Sequence, residues 1–133
     1  MIKLLIGGKG SGKTKALIEL ANKAVEETKG SVVCIEKGDT LKLDVSSKAR
    51  LVDAGAYGIG CGACFYGFVA GILASNYDIT DLFIDSSMKL CNGDVAAFEK
   101  FVARVEGISA DVNVVISASI PQEELPVSLK KYV

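Results

Sequence analysis

The sequence predicts a single three-layer α/β domain, with about five mostly parallel strands and helices on both faces of the sheet. Short runs rich in β-branched residues alternate with longer stretches of helical periodicity, which is typical of a parallel sheet with helical crossovers. The 133 residues suffice for one domain. Half of them are hydrophobic and 23% are charged, which favours a packed core over disorder.

The first half of the chain contains three predicted strands and two predicted helices. Runs of apolar and β-branched residues predict strands at residues 2–6, 31–36 and 50–53. A helix is predicted over residues 13–28, because apolar residues recur there at helical spacing. A second helix, over residues 62–74, is apolar on nearly every face, which predicts burial on several sides. The spacing of its Gly67 and Gly71 leaves a subunit interface open as the alternative.

The second half continues the alternation with a strand, a helix and a last strand. The fourth strand is predicted at residues 81–85 and ends in an aspartate. An amphipathic helix follows at 94–106, and residues 112–119 have the strongest β-strand signal in the chain. If the strands are parallel, their carboxyl ends meet at one edge of the sheet, where ligands bind in such folds.

Composition excludes several classes of function. The chain has no histidine, which excludes catalytic triads, histidine-bound zinc and histidine acid–base catalysis. Its net charge of -1 argues against a protein that coats nucleic acid. No stretch approaches the roughly 20 apolar residues of a membrane span, and the amino terminus does not resemble a signal peptide. We therefore expect a cytoplasmic protein whose four cysteines are thiols.

A glycine-rich segment stands between the first predicted strand and the first predicted helix. Residues 7–14 read GGKGSGKT and match the pattern G-x-x-x-x-G-K-[ST] in the context that this pattern requires. Glycines let successive backbone N–H groups face an anion, and the helix amino terminus adds a positive dipole end. The segment is therefore predicted to be a phosphate-binding loop, or P-loop. The residues predicted to bind the nucleotide are Gly8, Lys9, Gly10, Ser11, Gly12, Lys13 and Thr14.

The motif assigns chemical roles within a nucleotide site that takes ATP and Mg²⁺. Lys13 is expected to reach the β- and γ-phosphates and to act in catalysis, and the Thr14 hydroxyl is expected to ligate Mg²⁺. A second metal-side acid is needed at the end of a nearby strand, and Asp85 occupies that position. Asp81 is the alternative, but it begins the same strand and so lies at the opposite edge.

Residues 1–119 resemble the RecA-like P-loop ATPases, on the P-loop, the late acid-bearing strand and the two predicted strands between them. The resemblance implies a minimal RecA-like core in which the last strand inserts between the P-loop strand and the acid-bearing strand. The P-loop strand would then lie at the sheet edge, which favours a homo-oligomer or a larger protein partner. The resemblance also implies that Ser117 or Ser119 senses the γ-phosphate, with an ordinary strand end as the alternative.

The set of residues needed for hydrolysis is less complete than the set needed for nucleotide binding. In many RecA-like enzymes an acid directly follows the metal-side aspartate, but here that residue is Ser86. Other RecA-like proteins place this glutamate at the end of the second strand, so the resemblance implies that Glu36 is the candidate general base, and a solvated strand-end glutamate is the alternative. The two arginines are Arg50, a weak arginine-finger candidate in an oligomer, and Arg104, which we expect on a helix surface. These features predict slow ATP hydrolysis.

Two further resemblances bear on function. The chain is similar to small bacterial ATP-binding proteins, some of which are labelled as twitching-motility-ATPase-like. Its segment GGKGSGKTKALIEL, residues 7–20, is similar to the P-loop region of the thymidine kinase family. The leading expectation is Mg²⁺-dependent ATP binding with slow hydrolysis, and the alternatives are a nucleotide sensor or assembly module and, less favoured, a nucleoside kinase. No Asn/Thr-Lys-x-Asp element is present, which favours ATP over GTP.

The cysteines leave three interpretations open. Cys61 and Cys64 form a C-x-x-C motif at the start of the second predicted helix, a position that stabilises a thiolate. With Cys34 and Cys91 they number four, which an all-thiolate zinc site needs. Packing of small apolar side chains is the expectation that we favour, with redox chemistry and zinc binding as alternatives.

Overall fold

The computed structural model describes residues 1–133 and contains five strands and four α-helices. The strands are β1 (Ile2–Ile6), β2 (Ser31–Glu36), β3 (Arg50–Asp53), β4 (Ile79–Ile84) and β5 (Asn113–Ala118). The helices are α1 (Lys13–Glu27), α2 (Gly62–Ser75), α3 (Ser87–Leu90) and α4 (Val95–Glu106). Short 3-10 helices lie at Thr40–Leu43, Ala54–Tyr57, Gln122–Glu124 and Val127–Tyr132. The predicted alternation of strands and helices is confirmed.

The five strands form one all-parallel sheet in the order β1-β5-β4-β2-β3. The last strand of the chain lies between β1 and β4, and β1 is at the edge, as expected from the sequence. Because every strand runs the same way, all the carboxyl ends meet at one edge. The segments after β1, β2 and β4 therefore start from that edge.

Helices cover both faces of the sheet and give three layers. On one face α2 and α4 pack together, with the rings of Phe65 and Phe101 stacked at 4.3 Å between centroids. On the other face α1 packs through Leu17 and Ala21, both fully buried. The smaller core beneath α1 contains the strand residues Val32, Cys34, Phe83 and Val115.

Helix α2 is buried on one side, not on several sides as its apolar sequence predicts. Phe65 and Val69 face the core, whereas Gly67 and Gly71 are exposed, and a β-carbon at either glycine would meet nothing within 4 Å. The helix contains no charged residue. Its outer face consists of small residues. The hydropathy of the helix therefore predicts more buried surface than the structure shows.

Other differences from the sequence prediction are local. The strand β4 begins at Ile79, two residues earlier than predicted, because Ile79 pairs with Ser31 of β2 and is buried. Helix α3 was missed, since four residues are too few for a periodic pattern. No helix in the structure is long and apolar enough to cross a membrane.

Candidate functional site

The glycine-rich loop joins the carboxyl end of β1 to the start of α1. Its backbone depends on glycine at two positions in particular. Gly12 caps α1 with a left-handed φ of 88°, which a side chain disfavours. Gly7 has a φ of 139°, and a β-carbon there would lie 2.6 Å from the Ser11 hydroxyl. Gly7 N–H donates to Ile120 O at 3.0 Å, which ties the loop to the segment after β5.

Backbone N–H groups of the loop are free to bind an anion. Those of Gly10, Gly12, Lys13 and Thr14 donate to no acceptor in the protein, and no side chain caps α1. The positive end of the helix dipole adds to the field at these groups. The loop and the first turn of α1 therefore present several N–H donors and contain no acidic side chain. This arrangement suits a phosphate group.

Lys13 folds back over the same loop. Its ammonium group donates to Gly8 O at 2.9 Å and lies 3.4 Å from the Ser11 hydroxyl oxygen. Both partners are neutral. The ion pairs of the structure join Lys23 to Glu27 and Lys42 to Asp39, so Lys13 forms no ion pair. The loop consequently carries a net positive charge.

Asp85 connects three distant segments at the carboxyl edge of the sheet. It directly follows β4, and its side chain accepts a bifurcated hydrogen bond from the Thr14 hydroxyl, whose oxygen lies 3.2 Å from one carboxylate oxygen and 3.4 Å from the other. The Ser117 hydroxyl, near the end of β5, also donates to Asp85. Asp85 is only 7% exposed, so these donors replace water. The structure therefore brings together the two residues predicted to hold a metal.

A second layer of contacts supports this cluster. Ser87, fully buried at the start of α3, donates its hydroxyl hydrogen to the backbone oxygen of Ser117. Between Asp85 and Ser87, Ser86 has a left-handed φ of 63°, which is uncommon for a residue other than glycine and turns the chain sharply after β4. The role of Ser87 is not predictable from the sequence, because a lone serine after a strand carries no pattern.

Asp81 and Ser119 do not take part in the cluster. Asp81 lies near the amino-terminal ends of the strands, where it accepts hydrogen bonds from Thr80 and Asn113. It lines a cavity of about 470 Å³ beside α1, at the edge opposite to the loop. Ser119 is exposed and follows the end of β5, whereas Ser117 is buried and bonded to Asp85. Of the two serines, only Ser117 contacts the candidate metal side chains.

Glu36 lies at the same edge of the sheet but is held by a different segment. One of its oxygens accepts from the Thr40 hydroxyl at 2.9 Å, and the other accepts from the Leu41 N–H at 2.8 Å. The side chain is 5% exposed and stabilises the turn after β2. It makes no hydrogen bond to Lys13, Thr14 or Asp85, so its catalytic role stays a prediction.

Neither arginine lies at the loop. Arg50 begins β3 and is therefore at the amino-terminal edge, and it lines a cavity with Lys48 and Tyr57. Arg104 is on α4, where its guanidinium group lies 3.8 Å above the ring of Tyr66. The motif supplies two positive side chains to the loop, those of Lys9 and Lys13. Neither arginine adds another.

The cysteines form one bonded pair and two isolated thiols. Cys61 and Cys64 are joined by a disulfide, so the expectation of four thiols is wrong for this pair. Burial raises the pKa of the Cys34 thiol to about 12, with a further contribution from the charge of Glu36. Burial likewise raises the pKa of Cys91 to about 11, with a contribution from Asp94. No group of three or more potential metal ligands occurs, so the structure does not assemble a four-cysteine zinc site.

No protein family matches the chain, and no curated protein matches it significantly. The chemistry of its own residues is therefore the basis for a function.

Proposed function

We propose that the chain binds Mg²⁺-ATP at residues 7–14 and hydrolyses it slowly. One observation carries the proposal: the Thr14 hydroxyl and the Asp85 carboxylate, far apart in sequence, meet beside a loop with free N–H groups and a lysine that forms no ion pair. An anion cradle and a pair of hard oxygen ligands at one place suit a nucleoside triphosphate with its divalent cation.

Phosphate binding would use groups that the protein leaves without strong partners. The loop N–H groups would donate to phosphate oxygens, and Lys13 would exchange its neutral acceptor, Gly8 O, for a charged one. The bond from the ammonium group to Gly8 O is already charge-assisted, and a phosphate oxygen would add the attraction between opposite charges. The exchange of acceptors therefore favours the bound state.

The metal side of the site would consist of Thr14 and Asp85. When bound, Mg²⁺ would neutralise part of the phosphate charge. Ser117 donates to Asp85 and so holds the carboxylate in place at the start of α1. We assign Ser117 a positioning role through Asp85.

Hydrolysis would follow from attack of water on the γ-phosphate. Lys13 and the loop N–H groups would stabilise the charge that develops there. Glu36 is the candidate to orient the water, because it is an acid at the same edge of the sheet. An arginine finger can contribute about 10³–10⁵ in rate, and no arginine lies at the loop, so turnover should be slow.

The binding proposal is tested by isothermal titration calorimetry with Mg²⁺-ATP. We expect Lys13→Ala to weaken binding by at least about 100-fold, since it removes a charge-assisted contact. Lys15→Ala is the matched control, because Lys15 is exposed on α1 and its ammonium group takes part in neither ion pair of the structure, and it should change the affinity less than twofold. Folded protein without affinity for any nucleoside triphosphate would refute the proposal.

The hydrolysis proposal is tested by phosphate release at saturating Mg²⁺-ATP. Glu36→Gln should lower turnover by about 100-fold or more while affinity is kept, as expected on loss of a general base. The hydrogen bonds that already occupy both oxygens of Glu36 favour a second candidate function, a nucleotide sensor whose output is assembly. Tight binding without turnover in the wild-type protein would support that candidate.

A further inference from the structure

The Cys61–Cys64 disulfide lies outside the proposed nucleotide site. It is at the amino terminus of α2, on the face of the sheet opposite to α1. The two sulfur-bearing residues differ in access to solvent, since Cys64 is exposed and Cys61 is half-buried. A thiol from solution therefore meets Cys64 first.

The helix terminus distinguishes the two sulfurs chemically as well. Cys61 is the N-cap of α2, and its Sγ accepts a hydrogen bond from the Cys64 N–H at 3.2 Å. A negative charge on the Cys61 sulfur would be stabilised by this donor and by the positive end of the helix dipole. Cys61 is therefore the better leaving group when the bond is broken at Cys64.

The other cysteines do not compete with this pair. Cys34 is 1% exposed within β2, and Cys91 is 1% exposed after α3. Burial keeps both pKa values well above neutrality, so neither is a thiolate at neutral pH. The chain thus contains one accessible sulfur pair and two inert thiols.

We propose that Cys61 and Cys64 form a thiol–disulfide exchange site that reacts with low-molecular-weight thiols of the glutathione class. The incoming thiolate attacks Cys64 Sγ, the bond between Cys64 and Cys61 breaks, and Cys61 leaves with the electron pair as a thiolate. A second small thiolate then attacks the small-molecule sulfur of the mixed disulfide and releases Cys64. Two small thiols are oxidised to one disulfide, and the protein pair takes up two electrons and two protons.

The proposal does not depend on nucleotide binding, and its test uses the full chain without nucleotide. Reduced Cys61→Ser protein is incubated with glutathione disulfide, and adducts are followed by mass spectrometry. Cys64 should form one persistent mixed disulfide, because the residue that would resolve it is absent. In Cys64→Ser protein, the adduct on the half-buried Cys61 should form at least about 10-fold more slowly when the two rates are compared per thiolate, because a sulfur stabilised by the helix terminus is also the weaker nucleophile.

Two controls keep the test specific to the fold. In urea-unfolded protein the two adduct rates should converge, because helix and burial are lost. Wild-type protein should interconvert between dithiol and disulfide as the ratio of reduced to oxidised glutathione is changed. Peptide mapping after rapid alkylation measures the two forms. Cys34 and Cys91 should stay unmodified. Equal rates at both cysteines in the folded variants would overturn the proposal. So would a disulfide that glutathione does not reduce in the folded wild-type protein.

Discussion

Asp85 is a buried carboxylate whose partners come from other segments of the chain. Thr14 and Ser117 donate to it, and Ser87 in turn donates to the backbone of Ser117. A buried polar group that loses one partner keeps the cost of desolvation without the compensating bond. The stability of the fold and the geometry of the proposed metal side are thus coupled at one residue.

We expect Ser117→Ala to lower the free energy of unfolding by about 1–3 kcal/mol, because it removes a hydrogen bond to a charged group in a buried site. Urea denaturation followed by circular dichroism measures the change. Ser119→Ala is the matched control, since Ser119 is exposed and makes no bond to Asp85, and it should stay within about 0.5 kcal/mol of wild type. Equal losses in both variants would contradict the assignment of Ser117.

Cys34 makes stability depend on alkaline pH. Burial raises its pKa from 9.0 to about 12, so the folded protein keeps the proton at pH values where the unfolded chain loses it. The contribution of the protonated Cys34 thiol to the free energy of unfolding is complete below pH 9 and is lost as the pH rises towards 12. By this linkage the free energy of unfolding should fall by about 2 kcal/mol between pH 9 and pH 11.

The check is a series of urea denaturation curves over this pH range for wild type and Cys34→Ala. The variant should start from a lower stability, because it leaves a small cavity in the core. Its curve should then lack the part of the alkaline decline that Cys34 causes. Parallel declines in the two proteins would show that Cys34 is not the group responsible.

At the scale of elements, α2 combines a well-packed inner face with an outer face of small residues. Gly67 and Gly71 lie in the helix interior, and a β-carbon at either would contact nothing. Gly62, at the start of the same helix, differs, because a β-carbon there would lie 3.1 Å from that of Ala97 on α4. Alanine at position 67 or 71 therefore tests the conformational cost of glycine in the helix, whereas alanine at position 62 also tests packing against α4.

We expect Gly67→Ala and Gly71→Ala each to raise the free energy of unfolding by about 0.5–1 kcal/mol, since alanine loses less conformational entropy in a helix. Gly62→Ala should lower it. Thermal and urea denaturation provide the measurement. If alanine at 67 or 71 instead destabilises the protein or changes its assembly state, the outer face of α2 packs against another chain.

At the scale of the whole molecule, β1 is one of the two edge strands of the parallel sheet. It pairs with β5 on one side and with no strand on the other, and the glycine-rich loop follows its carboxyl end. Unpaired N–H and C=O groups along an edge strand favour pairing with another chain. The same strand thus links the proposed nucleotide site to a surface suited to association.

We expect the protein to associate with itself or with a larger partner through this edge. Sedimentation velocity of the purified chain over a range of concentrations should show a species of at least twice the monomer mass of 13.9 kDa. Hydrogen exchange should then be slower for the outward amides of β1 at high concentration than at low concentration. A constant monomer mass with fast exchange along β1 would contradict association of the chain with itself.

The sequence by itself determined the elements and the loop. Strands such as residues 2–6 and 31–36 were predicted with the bounds that the structure has, because a run of β-branched residues is a local signal. The glycine-rich loop was predictable for a similar reason, since glycine at positive φ and a lysine after it form one contiguous pattern. Asp85 could be singled out because an acid that follows an apolar strand lies at the carboxyl edge.

Only the tertiary structure decided how these parts meet. The bond from Ser117 to Asp85 depends on β5 lying beside β4, and the bare face of α2 depends on where α4 packs. Likewise, the binding of Glu36 by the turn after β2 depends on side-chain packing within a connection that shows no periodicity. Contacts of this kind follow from strand order and burial, which are properties of the assembled sheet that no single segment of sequence contains.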